Sequence, residues 1–255
     1  MYNILQISDL HFLRSYPQTD LQYINSIRNG PSLDEKLRSC AVAAGKRKLD
    51  ALIVTGDISD YGYAEDYVHV RDKLEKFFPH IPLAFTPGNH DVNREFSKGM
   101  FGRAYDGRPL NAVFDCGDIC VISLDSSRDE VNSGTISEDQ CDYLLKALQH
   151  GKGKTTLLIT HFHLLDGQDE MPPCSFPAAL RSIVAESDVS AIFTGHTHHS
   201  YNGFFAGKPY FTAPSFSFYG QENADGSTDY LSCYGCNLYS LDEKAVHSVR
   251  TEIFF

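Results

Sequence analysis

The chain has 255 residues, 42% hydrophobic and 22% charged, a globular composition that excludes intrinsic disorder and collagen. A fold of this mass exposes about 11,000 Å² of the about 41,000 Å² an extended chain would expose, so a sizeable core needs no disulfides. Lys and Arg number 22 against 33 Asp and Glu, a net charge of −11; nucleic acid is not an expected partner, because neutralising many phosphates demands the opposite balance.

A small anionic substrate remains compatible with that charge if a metal supplies the positive field locally. No apolar run reaches the roughly 20 residues that span a bilayer, so no membrane partner is expected. Met1-Tyr2-Asn3 leads into Ile4 without the basic stretch of a secretory leader. Seven scattered cysteines suit a reducing compartment, and a cytoplasmic location is the expectation. Cys233-x-x-Cys236 is a lone pair, read as two half-buried thiols and not a zinc knuckle. With no linker, repeat or low-complexity tract, the chain reads as a single domain over 1–255. Oligomeric state is left open.

Taken in order, the first predicted strand is Tyr2–Ile7, followed by a long polar connection, Arg14–Pro31. Ser32 and Glu35 form a capping box that opens a helix to about Leu49. A strand over Ala51–Thr55, a helix over Ala64–Phe78 and a strand over Leu83–Thr86 come next. Ala112–Phe114 and Ile119–Leu124 flank the turn Asp115-Cys116-Gly117-Asp118 and read as a hairpin. A second capping box, Ser137 with Gln140, opens a helix ending near Gly151. Then follow a strand at Thr156–Thr160, a helix at Pro177–Glu186 and a strand at Ala191–Thr194. Beyond Gly195 the pattern turns to short strands: a hairpin over Gly203–Phe211, then Asn237–Leu241 and Val246–Phe254. The unalternating runs Ile53-Val54 and Leu157-Leu158-Ile159 predict strands covered on both faces. Helices early and strands late predict an α/β sheet core flanked by helices, not a purely parallel doubly wound sheet.

Five segments that follow these strands concentrate metal-binding side chains: Asp9-Leu10-His11, Gly56-Asp57, Gly88-Asn89-His90-Asp91, Thr160-His161 and Gly195-His196-Thr197-His198. Carboxyl ends of strands are where crevices form in open α/β sheets. Asp-x-His and His-x-His put two donors on one side, since residues two apart in a strand share a face. Asp57 has two oxygens and can bridge two cations, and Asn89 adds a neutral oxygen. Mixed N and O donors without thiolate suit Fe, Mn or Zn. Two such ions about 3.5–4 Å apart would hold a hydroxide and clamp both oxygens of an in-line displacement at phosphorus. Gly56, Gly88 and Gly195 fit a backbone that approaches the ions closely in unusual φ/ψ.

Together these residues resemble the signature of the calcineurin-like metallophosphoesterases, in order and over nearly 190 residues. The resemblance implies that Asp9, His11, Asp57 and His198 hold one metal and that Asp57, Asn89, His161 and His196 hold the other. It implies that His90 protonates or stabilises the leaving oxygen, with Asp91 orienting its ring. Gly56-Asp57-Ile58-Ser59-Asp60-Tyr61-Gly62, Ile119–Asp125, Ser137–Leu148 and Ala213-Pro214-Ser215 are similar to the cyclic-nucleotide-phosphodiesterase-like branch. The implied fold is four-layered, two mixed sheets packed as a sandwich and flanked by helices. The implied reaction is hydrolysis of a small phosphodiester, a cyclic nucleotide or glycerophosphodiester, or of a monoester. A nuclease and a metal-binding scaffold without turnover are the alternatives.

One departure is Phe162-His163, where the branch carries histidine then proline; His163 either approaches substrate or packs in its loop, and packing is favoured. Asp60 is read either as a partner of a ligand imidazole or as a cap before Ala64, and Asp125 merely ends a strand. His199 is expected to point away from the site, and His69, His80, His150 and His247 to be partnerless at the surface. Arg14–Pro31 is long enough to be functional. Phe216, Phe218, Tyr219, Tyr230 and Tyr234 could stack on a base, but Phe216 and Phe218 at strand spacing favour sheet core.

Overall fold

The computed structural model describes residues 1–127, 133–168, 171–223 and 225–255. Strand β1 (Tyr2–Ile7) leads through helices α1 (Gln22–Asn29) and α2 (Leu33–Ala44) to β2 (Ala51–Thr55), then α3 (Ala64–Phe77), β3 (Leu83–Thr86) and α4 (Asn93–Met100). The three strands pair in parallel, Ile7 opposite Val54 and Thr55 opposite Thr86. Next come the hairpin β4 (Ala112–Cys116) and β5 (Ile119–Ser123), then α5 (Glu138–His150) and β6 (Thr155–Ile159). Helix α6 (Ala178–Glu186), β7 (Val189–Thr194), β8 (Tyr201–Phe205) and β9 (Lys208–Thr212) complete a second sheet of order β4-β5-β6-β7-β9-β8. A separate ribbon, β10 (Tyr219–Glu222) with β11 (Thr228–Leu231), precedes β12 (Tyr234–Leu241) and β13 (Val246–Phe254). These last two join the first sheet antiparallel, giving β13-β12-β1-β2-β3.

Strand parity assigns every core residue to a layer. Leu5, Ile7, Leu52 and Val54 face a core shared with the helices on the first sheet. Ile122, Leu158 and Ile192 do the same against the helices of the second. Between the sheets, Ile4, Ile53, Val121, Leu157, Ile159 and Phe193 meet face to face. The architecture is therefore the expected four-layer α/β sandwich. One buried polar side chain crosses its middle: Gln6 Nε2 donates to Thr55 Oγ1 (3.0 Å) and Thr194 O (2.9 Å), and Tyr239 OH donates back to Gln6 Oε1 (2.6 Å). Every polar atom of the amide that would be costly to bury unpaired is thus satisfied, and the carboxyl ends of β2 and β7, in opposite sheets, are drawn together.

Several expectations need correction. The helix from Ser32 stops at Ala44 and not Leu49, because Gly45 takes φ +66° at its end. Pro177 caps α6 from outside its first turn. The Arg14–Pro31 connection contains α1, whose apolar stripe is only Ile24 and Ile27. Helix α4 was hidden in the same way, with Phe96 and Met100 inward and polar residues elsewhere. The ribbon β10–β11 carries no clear alternation, and Phe216 and Phe218 lie in the irregular segment before it, Phe216 on a bend, not on a strand. Cys233 and Cys236 are buried, not half-buried. His150 and His247 do have partners, Asp115 at 3.0 Å and Asp242 at 2.7 Å, and His69 stacks on Phe12. Among the described residues no helix is long and apolar enough to cross a membrane.

Candidate metal centre

The five loops leave the carboxyl ends of β1, β2, β3, β6 and β7 and meet where the two sheets come closest. Backbone bonds lash them in pairs: Asp9 N–H to Gly56 O (3.0 Å), His11 N–H to Asp57 O (2.9 Å) and Gly195 N–H to His161 O (2.9 Å). Asp9, His11, Asp57, His196 and His198 all have positive φ, between 45° and 75°. Left-handed backbone is sparsely used by residues with a Cβ, and clusters of it mark places where surrounding structure enforces a functional geometry. This, and not strand parity, is how Asp9-x-His11 and His196-x-His198 converge.

Of the three site glycines, Gly56, Gly88 and Gly195, Gly56 alone needs its conformational freedom, at φ +91°. Gly88 and Gly195 are required for space: a Cβ at 88 would lie 2.2 Å from Asp57 Oδ1, and one at 195 would lie 2.0 Å from Ser8 Oγ. A Gly88→Ala variant is accordingly expected to displace Asp57 and lower kcat about 10²-fold, with sub-stoichiometric metal by elemental analysis. Wild-type metal content in that variant would refute the steric reading.

Two donor sets share Asp57. On one side His11 Nε2 lies 3.2 Å from His198 Nε2 and 3.6 Å from Asp57 Oδ2, and His198 Nε2 lies 3.5 Å from Asp9 Oδ1. On the other, His161 Nε2 is 3.4 Å from Asp57 Oδ2 and 3.1 Å from Asn89 Oδ1, and His196 Nδ1 is 3.1 Å from the same Asn89 oxygen. The protonation pattern tests whether cations fit. His161 Nδ1–H donates to Thr55 O at 2.8 Å, so its Nε2 is the atom turned to the Asp57 and Asn89 oxygens, which favour a positive charge at that point, a proton or a metal ion. His11 Nδ1 faces Asp60 Oδ1 at 3.5 Å, leaving its Nε2 as a lone pair opposite a second imidazole. Buried lone pairs crowded together are unfavourable unless a positive charge sits among them. The donor chemistry therefore fits metal ions.

Electrostatics agree. Burial works against a charged His161, but the Asp57 and Asp9 carboxylates outweigh it and push the ring up to about 9. His196 is pushed down to about 3 by burial and by His161. Burial would raise Asp60, yet the hydrogen bonds of His11 and His90 hold it well below the carboxylate range.

The expected partner of His90 is corrected here. Asp91 is buried and accepts the amides of Ile58 (3.1 Å), Ser59 (2.9 Å) and Gly88 (2.9 Å), fixing the loops of β2 and β3 to each other. Burial and the nearby Asp57 raise it to about 7. It is Asp60 that accepts from His90 Nδ1, at 2.6 Å, while the cap before α3 is made by Asp66. Asp125 holds the amides of Leu110 and Ser127, apart from the donors. His163 is buried and stacks on His196 at 5.9 Å, as packing predicted.

A cavity of about 690 Å³ opens over the donors. Its wall includes residues the sequence did not single out for the site: Tyr23 from α1, Met171, and Gln221 and Thr228 from the ribbon. His199, expected to point away, also lines it and stacks on Tyr219 at 4.1 Å. The aromatic set divides. Phe216 and Tyr234 are core, whereas Phe218, Tyr219 and Tyr230 line the cavity. Phe218 packs 4.5 Å from His198 and 5.5 Å from Tyr23. Signals for Tyr23 were absent because α1 itself was not legible.

The calcineurin-like phosphoesterase family model matches residues 2–200, and the chain belongs to that family. It is a hydrolase of phosphoester bonds, of a family that uses divalent metals. Its sequence is similar to a probable cyclic nucleotide phosphodiesterase of Rhodococcus erythropolis, 31% identical across 94% of this chain and 83% of that one. It is also similar to a cAMP/cGMP dual specificity phosphodiesterase of Mycobacterium tuberculosis, 30% identical across 97% and 79%. A purple acid phosphatase from yellow lupin seeds shares the fold, with a TM-score of 0.60 at 12% identity over 98% of this chain and 53% of that one.

Proposed function

We propose that this protein hydrolyses a small phosphodiester, in the first place a cyclic nucleotide, at a two-metal centre. Asp9, His11, Asp57 and His198 would hold one ion, and Asp57, Asn89, His161 and His196 the other. The observation that carries this reading is the Asp57 carboxylate, within 3.6 Å of an imidazole from each donor set. Bound there, the cations, Fe, Mn or Zn by donor type, supply an activated water and neutralise charge at phosphorus. The chain's own residues do the rest. His90, held through Nδ1 by Asp60, presents its other nitrogen to the leaving oxygen and donates a proton there. Asp91 keeps the loops in register.

Two features support a diester carrying a base. Among the described residues lining the cavity there is no Lys or Arg, so beyond the cations no permanently charged side chain meets phosphate; a diester carries one unit where a monoester carries up to two. The same observation, with the net charge of −11, weighs against a nuclease. Tyr230, half-buried on the cavity wall 5.6 Å from Phe218, offers a face on which a nucleobase can stack. The relatives named above act on cyclic nucleotides. A panel of phosphate esters assayed with added Mn²⁺ tests this. Turnover of cyclic nucleotides is expected, with Tyr230→Ala raising their KM about tenfold and leaving a ring-free glycerophosphodiester unaffected. Absence of turnover on every ester would favour a scaffold.

A further inference from the structure

Leu10 and Phe12, which alternate with the donors Asp9 and His11, line a second cavity of about 350 Å³ between α1 and α2. Lys36 lines it too and is only 4% exposed. Among the described residues no carboxylate lies within ion-pair distance of its ammonium, whose neighbours are the Tyr234 ring face at 5.7 Å and the Cys233 thiol. The acids nearest in sequence are engaged elsewhere. Glu35, at the cavity mouth, accepts from Ser32 N and Oγ (2.8 and 2.7 Å), and Asp34 is held by Lys73 and Lys76. Arg28 stands at the rim, donating to Pro17 O at 3.3 Å. The remaining wall is mainly apolar, with Ile27 and Phe216 beside Leu10 and Phe12.

A buried ammonium without a counter-ion is costly, and folds keep such groups chiefly where something pairs with them. Burial already pushes Lys36 down to about 8, which leaves it mostly charged at neutral pH. We propose that this cavity binds a small organic anion, a carboxylate or sulfonate on an apolar body, with its head group on Lys36 and Arg28. An apolar body matches the Phe12, Ile27 and Leu33 side of the wall, which an inorganic ion would leave without apolar contact. Occupancy would bear on the catalytic loop, since Tyr16, another lining residue, donates its hydroxyl to His11 O at 3.1 Å.

The test is a fluorescence titration of the metal-loaded protein with anilinonaphthalene sulfonate, competed with benzoate. Saturable binding to one site is expected, weakened about tenfold or more by Lys36→Met and about threefold by Arg28→Gln. Phe218→Ala, in the catalytic cavity, should leave the affinity unchanged. Lys36→Met should melt no lower than wild type, because it removes an unpaired buried charge; Arg28→Gln, at an exposed position, carries the test if that variant does not fold. Lack of binding, binding indifferent to Lys36→Met and Arg28→Gln, or binding lost with Phe218→Ala would each overturn the proposal. None of these readouts depends on phosphoesterase turnover.

Discussion

An Asp57→Ala variant is expected to retain neither metal and to lose activity about 10³-fold or more, the equivalent of about 4 kcal/mol of transition-state stabilisation. Asp57 Oδ2 is 3.6 Å from His11 Nε2 and 3.4 Å from His161 Nε2. Its other oxygen accepts the His90 amide at 2.8 Å, so the carboxylate cannot swing toward one set and abandon the other. Removing it strips both sites of their shared negative ligand. Asn89→Ala is the contrasting case. Asn89 Oδ1 lies 3.1 Å from His161 and from His196, both of one donor set, and its loss should release one ion and keep the other. Metal analysis of the two purified variants separates the readings: two ions retained in Asp57→Ala, or both lost in Asn89→Ala, would rule out the bridge.

The central strands were legible because their apolar runs are buried on both faces, as β2 and β6 are throughout. The donors were legible for a related reason: metal-binding side chains at the ends of such strands have few other uses. What brings them together was not. Asp9, His11, Asp57, His196 and His198 take left-handed backbone, a tertiary constraint that leaves no trace in spacing. Adjacency also misled. Asp91 follows His90 in the chain but turns to the amides of Ile58, Ser59 and Gly88, while Asp60, from another loop, reaches the imidazole. The cavity wall was hardest to read, because α1 and the ribbon have too few apolar residues to set a period. Tyr23 and Tyr230 lie 6.2 Å apart on those two elements, and nothing local in the sequence pairs them.

Substituting His90 should alter the chemistry and spare the metals, provided its part is to deliver a proton to the departing oxygen. Its ring is 22% exposed, and Asp60 fixes one edge from 2.6 Å. Burial disfavours the charged ring, but Asp57 and Asp60 outweigh that and raise its pKa above the ordinary imidazole value, which favours the proton-donating form. His90→Ala is expected to lower kcat about 10²- to 10³-fold for esters whose alkoxide needs a proton to leave. For p-nitrophenyl esters, whose phenolate departs unaided, the loss should stay within about tenfold. Asp60→Asn keeps the imidazole but weakens its hold and its charge, and should fall between the two at about 10- to 100-fold on alkoxide esters. That ordering distinguishes proton donation from simple charge stabilisation, since an imidazolium that only neutralised phosphate would help both leaving groups alike. Equal losses on the two ester classes, with two metals still bound, would remove His90 from the proton-transfer step and leave it as a cationic contact to phosphate.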